Sequence, residues 1–118
     1  MKLLKCNKCG TRVIVDKGGD NVICCGEQMQ EVKPNSVDAA IEKHVPEYKI
    51  EDDKIIVTVN HVMEDEHYIE WIVLESENVL IKKDFIPGDK LEVEFDYIPS
   101  SSLYAYCNKH GLWQKDVE

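Results

Sequence analysis

The chain lacks any apolar run long enough to cross a membrane, for which a helix would need about 20 consecutive apolar residues. Its first stretch, "MKLLKCNKC", also lacks the apolar core of a secretory signal, so the expectation is an intracellular, cytoplasmic protein with reduced thiols. Basic charge is short as well. Against 23 Asp and Glu stand 14 Lys and Arg, a formal net charge of -9, which excludes nucleic acid and anionic membrane as partners because both require a basic footprint. An anionic substrate would need a local positive patch, while a basic protein partner is favoured by the overall field. There is no internal repeat, no low-complexity segment and no long helical periodicity. The cysteines number five, and an odd count argues against simple disulfide pairing.

What is present reads as globular: 43% hydrophobic and 31% charged over 118 residues. The composition changes near residue 35. Four of the five cysteines and four of the six glycines precede it, and all four histidines follow it. "EVKPNSVDAA" (31–40) has the turn formers Pro34, Asn35 and Ser36, giving a small cysteine module over 1–35 and a larger domain over 36–118.

The larger domain reads as strands. In "KLEVEFDYI" the residues Leu91, Val93, Phe95 and Tyr97 share one face and the acids the other, the period-two mark of a half-buried strand. "KIIVTVNH" puts Ile55, Val57, Val59 and His61 in one phase, and "HYIEWIVL" does the same for His67, Ile69, Trp71 and Val73. Each histidine is thus expected at a strand end. Shorter strands are expected over 47–51, 78–83, 102–107 and 111–116, so that seven strands form an antiparallel sandwich. A brief helical turn over 36–44, capped by Ser36, is the only helix expected. Trp71, Trp113 and the tyrosines read as core and not as redox conduits, except that Tyr106 fits either role.

Two constellations carry chemistry. Cys6 and Cys9 in "CNKC" are followed, after fourteen intervening residues, by Cys24 and Cys25. A module this short rarely folds on a hydrophobic core alone, and a tetrahedral ion held by four thiolates would stabilise it. Such a set suits zinc or iron. A disulfide pair or buried free thiols fit less well, given the spacing and the glycines after Cys9 and Cys25. The adjacent cysteines require two neighbouring side chains to turn toward one ion.

The second constellation is His44, His61, His67, Cys107 and His110. His61 and His67 bracket the acidic loop "VMEDE", Cys107 ends a strand, and His110 lies in the next turn. Closed structural zinc sites use four ligands, so four imidazoles and a thiolate imply a higher coordination number with room for another group.

"EKHVPEY", "NHVMEDEHYIEWI" and "YCNKHGLW" resemble the three signature segments of superoxide reductases, and "CNKCG" with "CCGEQM" resembles the desulforedoxin module of the two-domain subgroup, the desulfoferrodoxin family. The resemblance runs in order over essentially the whole chain. It implies an immunoglobulin-like sandwich in which His44, His61, His67 and His110 are equatorial ligands of a mononuclear ferrous centre and Cys107 the axial thiolate. It further implies that Lys43 attracts superoxide, that Glu42 can fill the open position when iron is ferric, and that Cys6, Cys9, Cys24 and Cys25 hold a second iron, for which zinc can substitute. Superoxide as substrate, a rubredoxin-like electron donor and a homodimer follow from the same resemblance. The chain departs from the family pattern at Val62, where proline is usual, and in a slightly shorter interval between the cysteine pairs. The runner-up reading is a two-iron electron carrier with no substrate of its own; a third is a zinc-stapled sandwich that only binds a partner.

Overall fold

The computed structural model describes all 118 residues and is almost entirely β. It divides into two compact units, Met1–Lys33 and Pro34–Glu118. In the first, strands β1 (Lys2–Lys5), β2 (Arg12–Val15) and β5 (Gln30–Val32) form an antiparallel sheet with β1 central, and β3 (Ile23–Cys24) pairs with β4 (Glu27–Gln28). Its own core is small: Leu4, Cys6 and Met29 are buried, with Val15, Val22 and Cys24 packed against them.

The second unit is an antiparallel β-sandwich. Strands β6 (Glu47–Glu51), β7 (Lys54–Thr58) and β10 (Glu92–Asp96) form one sheet in the order β10-β7-β6, and β8 (Ile69–Glu75), β9 (Leu80–Asp84), β11 (Ser102–Cys107) and β12 (Gly111–Asp116) form the other in the order β12-β11-β8-β9. These are the seven strands expected from the sequence. Period-two alternation sends Ile55 and Val57 from one sheet, and Leu103, Ala105 and Cys107 from the other, into a common core with Ile72, Leu74 and Phe95. Each large aliphatic side chain buried in this way contributes about 1.5–3 kcal/mol.

Three local expectations are corrected. The phase of β8 is not continuous, because Tyr106 pairs with Trp71 while Cys107 pairs with Ile69, leaving Glu70 with no residue opposite. This bulge puts Ile69 and Ile72 both in the core and turns Trp71 and Val73 to the other face, where Trp71 stacks on Tyr106 at 5.6 Å. His61 and His67 do not end strands. β7 stops at Thr58 and β8 starts at Ile69, so both rings belong to the connection that carries the chain from one sheet to the other, within which Glu64 and His67 form an isolated bridge. Finally, the helical turn is a three-residue 3-10 helix, Ile41–Lys43, with Ala40 rather than Ser36 at its start and no side-chain cap; Ser36 lies too far upstream to reach it.

Two residues with left-handed backbone shape the chain around β12. Asn35, with φ of 56°, is pinned to that strand by three hydrogen bonds: its N–H donates to the Leu112 carbonyl, its Nδ2 to the Gln114 carbonyl, and its Oδ1 accepts from the Gln114 N–H. Gly111, at φ of 78°, closes the tight turn between Cys107 and β12 in a conformation that L side chains rarely adopt. Truncation of the fully buried Leu74 to alanine is expected to cost the sandwich about 2–5 kcal/mol, read as a lower urea midpoint with unchanged slope; an unshifted midpoint would contradict this core assignment.

Candidate metal centres

Strand β1 ends at Lys5, and the chain then folds back on itself: the Cys6 N–H donates to the Thr11 carbonyl at 2.9 Å and the Gly10 N–H to the Cys6 carbonyl at 3.0 Å. This turn presents the Cys6 and Cys9 sulfurs together. Opposite them, Cys25 adopts a left-handed φ of 52° followed by Gly26 at 76°, which is how two adjacent cysteines both face one point. The four sulfurs lie within 4.8 Å of one another, with Cys9 Sγ 3.6 Å from Cys24 Sγ and Cys24 Sγ 3.9 Å from Cys25 Sγ. The Thr11 hydroxyl, 3.0 Å from Cys9 Sγ, holds that thiol down at about 6, whereas the hydrogen bond with Cys9 pushes Cys24 up to about 12. Like charges this close resist joint ionisation, so a cation is needed to make four thiolates. The set fits a tetrahedral ion.

The second cluster draws on three separate parts of the sandwich. Asn35 holds the segment leading to the 3-10 helix against β12, and His44 follows that helix, 4% exposed. Its Nδ1 donates to the Ala40 carbonyl at 2.7 Å, leaving the Nε2 lone pair free. That lone pair lies 3.1 Å from Nδ1 of His110. His61 is oriented in the same manner, its Nδ1 donating to the Val62 carbonyl at 2.5 Å and its Nε2 lying 3.4 Å from Cys107 Sγ. His67 Nε2 is buried with no hydrogen-bond partner. The donor atoms of His44, His67, Cys107 and His110 all lie within 4.8 Å of one another. His61 completes the group from one side, its ring 4.8 Å from that of His44 and 4.5 Å from that of His67.

The spacing of these donors indicates what belongs at the centre. Two nitrogens bound at right angles to one ion, each about 2.1 Å from it, are about 3 Å apart, close to the His44–His110 separation. Burial, followed by the neighbouring imidazoles, pushes the His61 and His67 pKa values below the ordinary histidine value and keeps the rings neutral. Burial also pushes the Cys107 thiol up, opposed by the N–H groups of Lys109 and His110 that point at the sulfur. An unpartnered buried imidazole nitrogen costs free energy unless something accepts its lone pair, and a cation in place of the thiol proton satisfies all five donors together.

Glu42 and Lys43 are exposed on the 3-10 helix directly before His44. Two further residues support the site and are not apparent from the sequence alone. Trp113, 1% exposed, stacks on the His44 ring at 4.8 Å and donates from Nε1 to the His110 carbonyl at 3.1 Å. Asn108 bonds the turn after Cys107 to the His67 loop. The alternation around Trp113 suggests only a core residue, and nothing in the order of residues shows what Asn108 reaches.

A β-sandwich with a four-imidazole, one-thiolate cluster, preceded by a four-cysteine module, defines a two-centre metalloprotein. A family model for desulfoferrodoxin matches residues 36–116. The chain is 40% identical over 119 residues to the desulfoferrodoxin homolog of Archaeoglobus fulgidus, spanning 97% of this chain and 95% of that protein. It is likewise 40% identical over 121 residues to the desulfoferrodoxin of Syntrophotalea carbinolica, spanning 98% and 96%. Among solved structures, the superoxide reductase from Treponema pallidum superposes with a TM-score of 0.74 at 28% identity, over 98% of this chain and 99% of that one. The chain belongs to the desulfoferrodoxin family, and its two donor sets match the iron centres of that family.

Removing metal from the four-cysteine set, or replacing Cys25 with serine, is expected to unfold Met1–Lys33 and leave the sandwich intact. Amide hydrogen exchange would show β1 and β2 losing protection while β7 and β11 keep theirs; equal protection of β1 with and without metal would contradict the coupling.

Proposed function

We propose that this protein is a superoxide reductase, and that His44, His61, His67, His110 and Cys107 hold the iron at which superoxide takes up one electron and two protons to give hydrogen peroxide. The observation that carries this reading is the convergence of four imidazoles and one sulfur from three distant segments, with the second nitrogen of His44 and of His61 already committed to a backbone carbonyl. The likeness to the Treponema pallidum superoxide reductase supports it. Ferrous iron, when bound, supplies the electron and a coordination position that the five protein donors leave open.

The chain's own residues do the rest. Imidazole donors would leave a bound ion electropositive enough to receive an anion, and the Cys107 sulfur would supply electron density that favours release of the reduced product. The N–H groups of Lys109 and His110 at that sulfur temper its donation. With a net charge of -9 the protein as a whole repels superoxide, so attraction must be local. Lys43, exposed immediately before His44, is assigned this steering role within the screening length of about 8 Å at physiological salt. Glu42 is assigned the role of filling the open position after oxidation. A one-electron carrier such as rubredoxin restores the ferrous state, and the four-cysteine iron is a candidate relay for that electron. The working form is a cytoplasmic homodimer.

Pulse radiolysis of the iron-loaded, reduced protein tests the activity: superoxide should decay with one hydrogen peroxide formed per superoxide and no dioxygen released. Dioxygen in the proportion of a dismutation, or no decay, would overturn the proposal. Azide or cyanide should perturb the spectrum of the second centre, which a pure electron carrier with no open position would not allow. In the same assay Lys43→Ala should slow the second-order step by about tenfold and flatten its dependence on salt; an unchanged rate removes Lys43 from this role.

A further inference from the structure

His67 differs from its fellow donors. No hydrogen bond reaches its Nε2, so the hydrogen bonds that hold this residue are those of its backbone and of the residues on either side of it. That backbone is held on both sides by one residue of another loop. Asn108 Oδ1 accepts from the Tyr68 N–H at 3.0 Å, Asn108 Nδ2 donates to the Glu66 carbonyl at 3.0 Å, and the Asn108 N–H donates to the Tyr68 carbonyl at 3.2 Å. The side-chain partners are 40 and 42 residues away in sequence. An asparagine in a tight turn ordinarily bonds within that turn, so these long-range bonds serve the junction between the loops and not the turn itself. Asn108 is also the residue directly after Cys107, whose sulfur is fully buried.

We propose that Asn108 is a positioning residue that fixes the His67 imidazole relative to the Cys107 sulfur by clamping Glu66 and Tyr68 across the two loops. The amide is suited to this because it needs both of its functions: the oxygen meets an N–H and the nitrogen meets a carbonyl, so the side chain has one productive orientation. Aspartate keeps the acceptor for Tyr68 but turns an oxygen toward the Glu66 carbonyl; alanine loses both bonds. The backbone bond from residue 108 to Tyr68 survives in either variant, so the loops stay neighbours while their alignment loosens.

The role of Asn108 rests on the proposed metal centre and is tested on the iron-loaded full chain, with the four-cysteine centre as an internal reference. Asn108→Ala should hold iron at the second centre about 10–100-fold more weakly in competition with a chelator, as is usual when a group supporting a metal ligand is lost, with Asn108→Asp intermediate. Both variants should shift the visible absorption band arising from the Cys107 thiolate while leaving the bands of the four-cysteine centre unchanged, a signature that a merely structural role would not produce. If Asn108→Ala does not fold, Asn108→Asp carries the comparison. Iron affinities and spectra equal to those of the parent overturn the role of Asn108 alone. A parent chain that takes up no iron at the second centre overturns the proposed function along with it.

Discussion

Lone pairs that face one another across three or four ångströms repel unless a proton or a cation lies between them, and burial withholds the water that would otherwise solvate them. The second centre consists of five such donors. His44 Nε2 and His110 Nδ1 lie 3.1 Å apart, Cys107 Sγ and His61 Nε2 lie 3.4 Å apart, and His67 Nε2 is buried with no partner. Left to local preference these groups would separate, or exchange protons among themselves. The sandwich holds them together, and much of its local irregularity can be understood as the means of doing so.

Each donor is held by a different device. Cys107 is the innermost, the last residue of β11 and part of the hydrophobic core. The bulge opposite it at Glu70 lets Ile69 pair with Cys107 and still enter the core, so β8 begins beside the sulfur without breaking the packing further along. His110 stands in the turn that Gly111 closes. His44 arrives on a segment hydrogen-bonded to β12 through Asn35 and lies flat against Trp113, which also bonds the His110 carbonyl. His61 and His67 share the crossing from one sheet to the other. A crossing of this kind has no ladder to order it, and the Glu64–His67 bridge and Asn108 supply the order instead.

Much of this was legible in the sequence because it depends on short-range pattern. Alternation in "KIIVTVNH" and "KLEVEFDYI" locates β7 and β10 to within a few residues, and Cys107 and His110 three positions apart mark a turn able to present both. What stayed hidden depends on register. Whether Trp71 faces inward is decided by where β8 meets β11, and a single unpaired residue at Glu70 reverses the answer. The same holds for Asn108 and Trp113, whose partners are set by folding and not by neighbours in the chain. Ser36 illustrates the opposite error: a residue with capping chemistry stands too far from the helix that forms, since three residues at Ile41–Lys43 are all that the segment gives to it. The adjacent Cys24 and Cys25 did carry a structural signal, since they can face one ion only if one of them leaves the usual backbone regions, and Cys25 does so.

The difference between the two donor sets bears on which of them can meet an anion. Four thiolates around a divalent or trivalent ion leave a net negative charge, and this set lies on a protein that is itself acidic. Four neutral imidazoles and one thiolate around a divalent ion leave a net positive charge. Burial contributes to that outcome by keeping His61 and His67 unprotonated, so their nitrogens are available to the ion. The Cys107 sulfur, deeper than the rings and fully buried, would set its negative charge toward the interior when an ion is held there. A divalent ion held by this set would keep a net positive charge, and an approaching anion would be drawn to it and not to the cysteine module.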